Sequence, residues 1–170
     1  MKYMFSKIHT NFIFICIISL FLSSCEQKKK SVNNFIGKEI IFPMELSNYI
    51  HQDNFLLILY LPHNDCNICT LKEYDIYKLY KKDFKARGID ILFIGQETNK
   101  KETEKYFKDL SIPFPIVWDK DSSFLKINQL PSNPIYHNFI IDKSNEVVWI
   151  GAPLYDSHMW EMFQKEFKEP

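Results

Sequence analysis

The chain lacks several features that would assign it to a class at once. Its 21 basic residues are balanced by 21 acidic residues, so no excess of charge favours nucleic-acid binding. It has no internal repeat and no boundary that would mark a second globular domain. It has no uninterrupted apolar run of about 20 residues, the length of a membrane-spanning helix. The chain has 46% apolar and 25% charged residues, which is the composition of an ordinary folded domain.

The longest apolar run lies at the N-terminus. Lys2 and Lys7 precede the run Phe12–Leu22, which only Ser19 interrupts, and small residues then lead to Cys25. A short apolar segment after a basic start predicts a secretory signal. The ending Leu-Ser-Ser-Cys resembles the lipobox of bacterial lipoproteins, which implies cleavage before Cys25 and lipidation of that cysteine. An uncleaved anchor helix is the alternative, and either arrangement tethers the domain to a membrane outside the cytoplasm.

The chain therefore divides into three parts. Residues 1–24 form the predicted signal peptide, residues 25–34 the lipidated cysteine with a flexible polar tether, and residues 35–170 the folded domain.

The chain has few cysteines, and their positions limit the chemistry that the folded domain can perform. Of four cysteines, Cys16 lies in the signal and Cys25 would carry the lipid, so the domain retains Cys66 and Cys69. A spacing of two residues is too tight for a disulfide that closes a structural loop, and the compartment permits oxidation. Redox chemistry and metal binding are the remaining functions.

The two cysteines follow a predicted strand and begin a predicted helix. The apolar run Phe55–Leu61 has the length of a buried strand, and Pro62 ends it. From Cys66 the apolar residues recur at helical spacing towards Gly88. Free amides at a helix start favour the thiolate of Cys66, so we predict a thiol–disulfide redox site. An inert disulfide or two structural thiols are the alternative.

The remaining pattern predicts an α/β fold with a central mixed sheet and helices on its faces. The expected elements are a strand at Phe35–Phe42, a strand at Ile89–Ile94, a helix from Thr98 or Asn99 to Leu110, a strand at Pro115–Trp118, a polar turn at Asp119–Ser122, a helix at Ser123–Asn128, a hairpin of Asn138–Ile141 with Val147–Ile150, and a helix within Pro153–Phe167.

This order resembles the thioredoxin fold, and specifically membrane-tethered oxidoreductases of the TlpA and ResA kind. The matching stretches are Cys66–Cys69, Ile89–Ile94 and Phe139–Asp142. The resemblance implies a thioredoxin-like mixed sheet with an N-terminal β extension and one inserted helix. It also implies that Cys66 attacks and Cys69 resolves, without a cofactor. The implied partners are protein dithiols or disulfides and a membrane-linked electron donor or acceptor. The implied location is a bacterial membrane, on the periplasmic side.

The sequence departs from this family pattern at two places near the cysteines. The family often has a buried acid behind the dithiol, and Phe55–Tyr60 contains none. Tyr136 stands where the family has a cis-proline that packs over the dithiol, and Pro134, two residues earlier, is the candidate replacement. His63 and His137 are predicted to lie in the loops beside the site.

Three functions other than thiol–disulfide exchange are alternatives for these residues. Cys66, Cys69 and His137, with His63, form a plausible set of ligands for Cu(I) or Zn²⁺. A non-catalytic binding module would keep the fold and lose the chemistry. A peroxidase of the same fold is disfavoured because it requires Thr at the position of His63.

Overall fold

A five-stranded mixed sheet in the order β3-β2-β1-β4-β5 carries the fold. The computed structural model describes residues 35–44, 46–47, 54–61, 67–131, 133 and 136–169, without the side chains of residues 67–70. The strands are β1 (Phe55–Leu61), β2 (Ile89–Gln96), β3 (Ile116–Asp119), β4 (Asn138–Ile141) and β5 (Val147–Ile150). The predicted mixed sheet with flanking helices is confirmed, and β4 and β5 have the predicted bounds.

Strand β1 lies at the centre of the sheet because it is apolar on both faces. It pairs parallel with β2, with Leu57 opposite Ile91, and antiparallel with β4, with Leu59 opposite Asn138. Every residue after Phe55 in this strand is buried. A strand with both faces covered needs a continuous apolar sequence rather than an alternating one.

Helices cover the two faces of the sheet unequally. The helices are α1 (Asn67–Tyr74), α2 (Lys81–Ala86), α3 (Lys100–Asp109), α4 (Ser123–Asn128) and α5 (Ser157–Glu166). One face of the sheet packs against residues of α1, α2, α3 and α5, and the other face packs against α4. The predicted inserted helix is α3, between β2 and β3. In the described part of the chain, no helix combines the length and apolarity needed to cross a membrane.

The predicted continuous helix from Cys66 to Arg87 is instead broken into α1, a 3₁₀ turn at Asp75–Lys78, and α2. Residues three apart lie above one another in 3₁₀ geometry. Tyr74 and Tyr77 use this geometry to stack at 6.2 Å, and Tyr77 stacks in turn on Phe84 at 5.8 Å. Burial of these rings against the core overrides the helical pattern. Gly88, with φ +67°, ends the segment as predicted.

The predicted strand at Phe35–Phe42 forms only one isolated bridge, between Glu39 and Glu146. Around this bridge, the Gly37 amide donates to Val147 O at 2.7 Å and the Ile40 amide donates to Asn145 O at 2.8 Å. The N-terminal β extension is therefore a short pairing along β5 and its turn. The segment leaves the sheet at Ile41 because a side chain, rather than a strand, binds its backbone there.

That side chain is Asn128, at the end of α4. The Ile41 amide donates to Asn128 Oδ1 at 2.8 Å, and Asn128 Nδ2 donates to Ile41 O at 2.8 Å and to Phe124 O at 3.0 Å. Asn128 is 1% exposed, its bond to Phe124 O is buried, and its two bonds to Ile41 are partly buried. The buried Asn128 amide thus joins the N-terminal segment to α4, together with a bond from Lys38 Nζ to Asn128 O and the packing of Phe42 on Phe124.

We expect Asn128→Ala to destabilise the domain by about 1–3 kcal/mol, because it removes a buried side-chain amide with three hydrogen bonds, two of them to the partly buried backbone of Ile41. Urea unfolding would measure the loss. The matched control is Ile127→Ala on the same helix, at a side chain that is 45% exposed, where we expect less than about 0.5 kcal/mol. Equal losses in the two variants would contradict the role given to Asn128.

Candidate active site

The ends of four strands lie together along one edge of the sheet. The parallel strands β1, β2 and β3 end there at Leu61, Gln96 and Asp119, and antiparallel β4 begins there at Asn138. Ligands of open α/β sheets bind outside the carboxyl ends of the parallel strands. We therefore expect the site at this edge, which we call the carboxyl edge.

A buried carboxylate lies at the carboxyl edge. Asp119 is 1% exposed and ends β3. Its Oδ2 accepts from the Tyr60 hydroxyl at 2.8 Å, and its Oδ1 accepts from Ser123 Oγ at 3.0 Å and from the Phe124 amide at 2.9 Å. Three donors satisfy the carboxylate, as burial of a charge requires.

Tyr60 links this carboxylate to the start of β4. Its hydroxyl also accepts from Gln96 Nε2 at 3.4 Å. Its ring stacks on Phe124 at 6.1 Å and meets the His137 ring edge-on at 5.7 Å. Burial, together with the neighbouring Asp119 carboxylate, raises the pKa of the Tyr60 phenol, so this side chain stays neutral and donates to the acid.

His137 is the second polar side chain buried at this edge, at 8% exposure. Its Nε2 lies 2.7 Å from Pro131 O. A carbonyl oxygen only accepts, so Nε2 carries the proton and Nδ1 presents a lone pair. Nδ1 has no hydrogen-bond partner among the described residues. Burial lowers the pKa of His137 below its usual 6.5, and the bond to Pro131 opposes this shift.

The register of the sheet explains why His137 meets Tyr60. Leu59 pairs with Asn138, so the residue before Asn138 lies beside Tyr60. Side chains alternate along a strand. Asn138 accordingly faces α1, where its side chain lies 3.4 Å from the Tyr74 hydroxyl, and His137 faces α4.

Helix α1 begins at Asn67, directly after Cys66 in the sequence, and contains the backbone of Cys69. Tyr136 and His137 immediately precede β4, at the same edge as the end of β1. Of the other predicted site residues, Cys25, His63, Cys66 and Pro134 lie outside the described residues, as do the signal and tether. Their roles, and that of the Cys69 sulfur, stay predictions.

The alternative metal site also stays a prediction. Among the side chains that the structure describes, no group of three or more His, Cys, Asp or Glu residues is arranged to hold a metal ion. The proposed ligand His137 is described, but the sulfur atoms of Cys66 and Cys69 are not.

Sequence reasoning missed Asp119. We predicted a polar turn at Asp119–Ser122, and the structure places Asp119 in β3 with its carboxylate buried. The available signal was its position directly after the apolar residues Ile116–Trp118, at the end of a strand. The acid that β1 lacks is thus supplied by β3, and it contacts β1 through Tyr60.

The lowered pKa of His137 predicts how stability depends on pH. The unfolded chain binds a proton at this histidine near pH 6.5, and the folded chain binds it only at lower pH. The free energy of unfolding should therefore fall as the pH drops below 6.5, since the unfolded state then holds more protons. We expect His137→Asn to weaken this dependence in urea unfolding between pH 7 and pH 5.

The matched control for this measurement is His158→Asn. His158 is exposed near the start of α5, so this variant removes a histidine that the fold does not bury. A His137→Asn protein with the same pH dependence as the wild type would show that His137 is not held neutral by the fold.

Comparison with known proteins agrees with this architecture. Residues 28–150, more than half of the chain, match the model of the AhpC/TSA family. The thiol-disulfide oxidoreductase ResA of Geobacillus kaustophilus is 33% identical over 73 residues, which is 43% of this chain and 38% of ResA. The match thus spans well under half the length of that relative.

Two solved structures share the fold. A thiol:disulfide interchange protein from Bacteroides sp. has a TM-score of 0.51 at 14% identity, covering 68% of this chain and 74% of that one. A yeast mitochondrial 1-Cys peroxiredoxin has a TM-score of 0.53 at 16% identity, covering 68% of this chain and 65% of that one. At these identities the likeness shows the fold, which confirms the predicted thioredoxin-like architecture. By its sheet, its helices and the extent of the family match, the chain belongs to the AhpC/TSA family of thioredoxin-like proteins.

Proposed function

We propose that this protein is a thiol–disulfide oxidoreductase that works through Cys66 and Cys69. The observation that carries the proposal is the position of the Cys-x-x-Cys sequence. In the sequence it lies between the end of the central strand β1 and the first turn of α1, and the end of β1 is at the carboxyl edge, where Asp119, Tyr60 and His137 also lie. The similarity to ResA supports this assignment.

The start of α1 favours Cys66 as the attacking sulfur. The first amides of a helix have no intrahelical acceptor, and a thiolate next to them is stabilised by their positive ends. Helix α1 begins at Asn67, so Cys66 directly precedes these amides in the sequence. Its thiolate attacks a partner disulfide, and Cys69, three residues later, attacks Cys66 to release the partner.

The electrons balance within this exchange. Cys66 forms a mixed disulfide and one partner sulfur leaves as a thiolate. Cys69 then forms the Cys66–Cys69 disulfide and the second partner sulfur leaves. The dithiol loses two electrons and the partner disulfide gains them, and the reverse reaction oxidises a partner dithiol. The substrates are protein dithiols or disulfides, and no further cofactor takes part.

We further propose that the domain works outside the cytoplasm on a lipid anchor. The basic start, the short apolar run and the Leu-Ser-Ser-Cys ending support cleavage before Cys25 and lipidation of Cys25. Residues 26–34 would then link the lipid to the domain. Such a location gives access to a membrane-linked electron donor or acceptor and, in a cell with two membranes, to the periplasm.

The redox proposal predicts that both cysteines are needed for turnover of a disulfide substrate. We expect Cys66→Ser to abolish exchange, because Ser lacks a nucleophilic thiolate. We expect Cys69→Ser to stop after one step and to accumulate a mixed disulfide at Cys66. Reduction of a model protein disulfide, with mass spectrometry of the trapped species, would measure both outcomes. Full turnover by Cys66→Ser would exclude the proposal.

The anchoring proposal predicts the distribution of the protein between cell fractions. We expect the wild type to enter the membrane fraction with a lipid mass on Cys25. The Cys25→Ala variant should lose that mass and remain uncleaved. Ser24→Ala is the matched control, because a small residue is retained before the cysteine. Mass spectrometry of the purified N-terminus distinguishes the forms, and an unmodified Cys25 in the wild type would refute the lipid anchor.

A further inference from the structure

We propose that the amino end of the sheet holds a second binding site, which takes the C-terminal aromatic residue of a peptide. The site is a pocket of about 170 Å³ beside the first half of β2. It lies at the opposite end of the parallel strands from the carboxyl edge, so the proposal does not depend on Cys66 or Cys69. We call it the amino-end pocket.

The first half of β2 has no strand on its outer side. Strand β3 has four residues and pairs with Phe93–Gln96, so it leaves Ile89–Leu92 without a strand partner there. The segment that precedes β3 lines the pocket instead, and it contains Pro113 and Pro115. Proline has no amide hydrogen, so this segment cannot continue the ladder of β3.

Two hydrogen bonds fix the direction of the Ile91 backbone. Gly88 O, just before β2, accepts from the Phe55 amide of β1 at 3.0 Å. The Phe93 amide donates in the opposite direction, to Pro115 O at 3.0 Å. Backbone groups alternate in direction along a strand, so the amide and carbonyl of Ile91 point away from β1, as those of Phe93 do. Ile91 lines the pocket, and among the described residues neither group has a backbone partner on that side.

This donor and acceptor match the backbone of one peptide residue. Ile91 is 5% exposed, so its backbone groups are largely withheld from bulk water and need partners. A residue of an antiparallel strand exchanges both hydrogen bonds with the residue opposite it. Peptides that add to a free strand edge use the same bonds. A peptide residue opposite Ile91 would therefore satisfy its amide and its carbonyl together.

The apolar part of the pocket has the size and the walls of a site for one aromatic ring. An apolar cavity of about 150 Å³ holds benzene. A pocket of about 170 Å³ therefore admits a ring. Its walls include Phe84 and Phe114, and edge-to-face or offset contacts with two rings favour an aromatic side chain. Opposite residues of a strand pair share a face, so a residue paired with Ile91 would direct its side chain towards Phe84.

Two lysines of α2 provide positive charge for a carboxylate. Lys81 and Lys85 both line the pocket and are about one helical turn apart. Lys85 lies 3.5 Å from Asp90 Oδ1, and Asn54 Nδ2 donates to Asp90 Oδ2 at 2.9 Å, so this acid is already paired. Lys81 lies over the Phe114 ring at 6.0 Å, and no described carboxylate forms an ion pair with it. Lys81 is therefore the cation available to a ligand.

These features together describe a C-terminal residue. Its ring fills the space between Phe84 and Phe114. Its amide donates to Ile91 O, and its carboxylate accepts from the Ile91 amide and pairs with Lys81. An internal peptide residue would offer the same ring and amide but no charge for Lys81.

The probe is N-acetyl-L-phenylalanine, which carries the ring, the amide and the carboxylate of such a residue. Titration into the isotope-labelled protein, followed in amide NMR spectra, should give saturable shifts at Ile91 and Phe114. We expect a dissociation constant on the order of 1 mM, as for other ligands of this size. N-acetyl-L-alanine lacks the ring and should bind at least about tenfold more weakly.

Variants of α2 test the role of charge. We expect Lys81→Gln to weaken binding of the probe about three- to fivefold, the range of an exposed ion pair. Lys82→Gln is the matched control, because Lys82 is exposed on the same helix and is not part of the pocket wall. It should change the affinity by less than about 1.5-fold. The uncharged analogue N-acetyl-L-phenylalanine amide should bind the wild type and Lys81→Gln equally.

Two tripeptides test which end of a peptide binds. Gly-Gly-Phe should shift the Ile91 amide, and Phe-Gly-Gly should bind at least about fivefold more weakly. Equal binding of the two would overturn the preference for a C-terminal residue. The absence of a saturable shift at Ile91, or equal weakening in Lys81→Gln and Lys82→Gln, would overturn the site. None of these outcomes affects the proposed thiol–disulfide exchange, which the Cys66→Ser experiment tests separately.

Discussion

The bonding of the Asp119 carboxylate is the constraint on which the carboxyl edge depends. A charge at 1% exposure is stable only if its oxygens are fully hydrogen-bonded, and the donors come from β1 and from α4. To bring Ser123 and Phe124 back to Asp119, the chain takes left-handed conformations at Asp121 (φ +53°) and Ser122 (φ +54°). Left-handed backbone costs roughly 1–2 kcal/mol per residue, which the bonds to the buried charge offset.

The same carboxylate orients groups on both sides of it. It holds the Tyr60 hydroxyl, so the Tyr60 ring has a fixed plane against which Phe124 stacks and His137 packs edge-on. It also holds the first turn of α4, and the last residue of that helix, Asn128, binds the backbone of Ile41. The N-terminal segment and the candidate site are therefore joined through one short helix.

The sequence predicted the parts of this fold that local pattern determines. The continuous apolar run Phe55–Leu61 and the hairpin around residues 142–146 were assigned correctly, because a buried strand and a tight turn have local signals. The break after Tyr74 was missed because helical spacing alone does not show that Tyr77 stacks on both Tyr74 and Phe84 against the core. Asp119 and the partner of Asn128 were missed for another reason: both depend on contacts between residues about 60 to 90 positions apart in the chain.

The position of the buried acid changes what the acid can do. An acid on β1 itself would lie on the strand that leads into α1, whereas Asp119 lies on β3, with β2 between it and β1, and contacts β1 through Tyr60. Burial and the nearby carboxylate raise the pKa of the Tyr60 phenol, so the phenol stays neutral and donates a hydrogen bond to Asp119 Oδ2. The two remaining bonds, from Ser123 and Phe124, occupy Oδ1. The acid therefore organises the edge through its three hydrogen bonds. Among the described side chains buried at this edge, His137 alone has an accepting atom without a partner. This edge therefore combines a fully hydrogen-bonded carboxylate with a buried imidazole nitrogen that has no donor among the described residues.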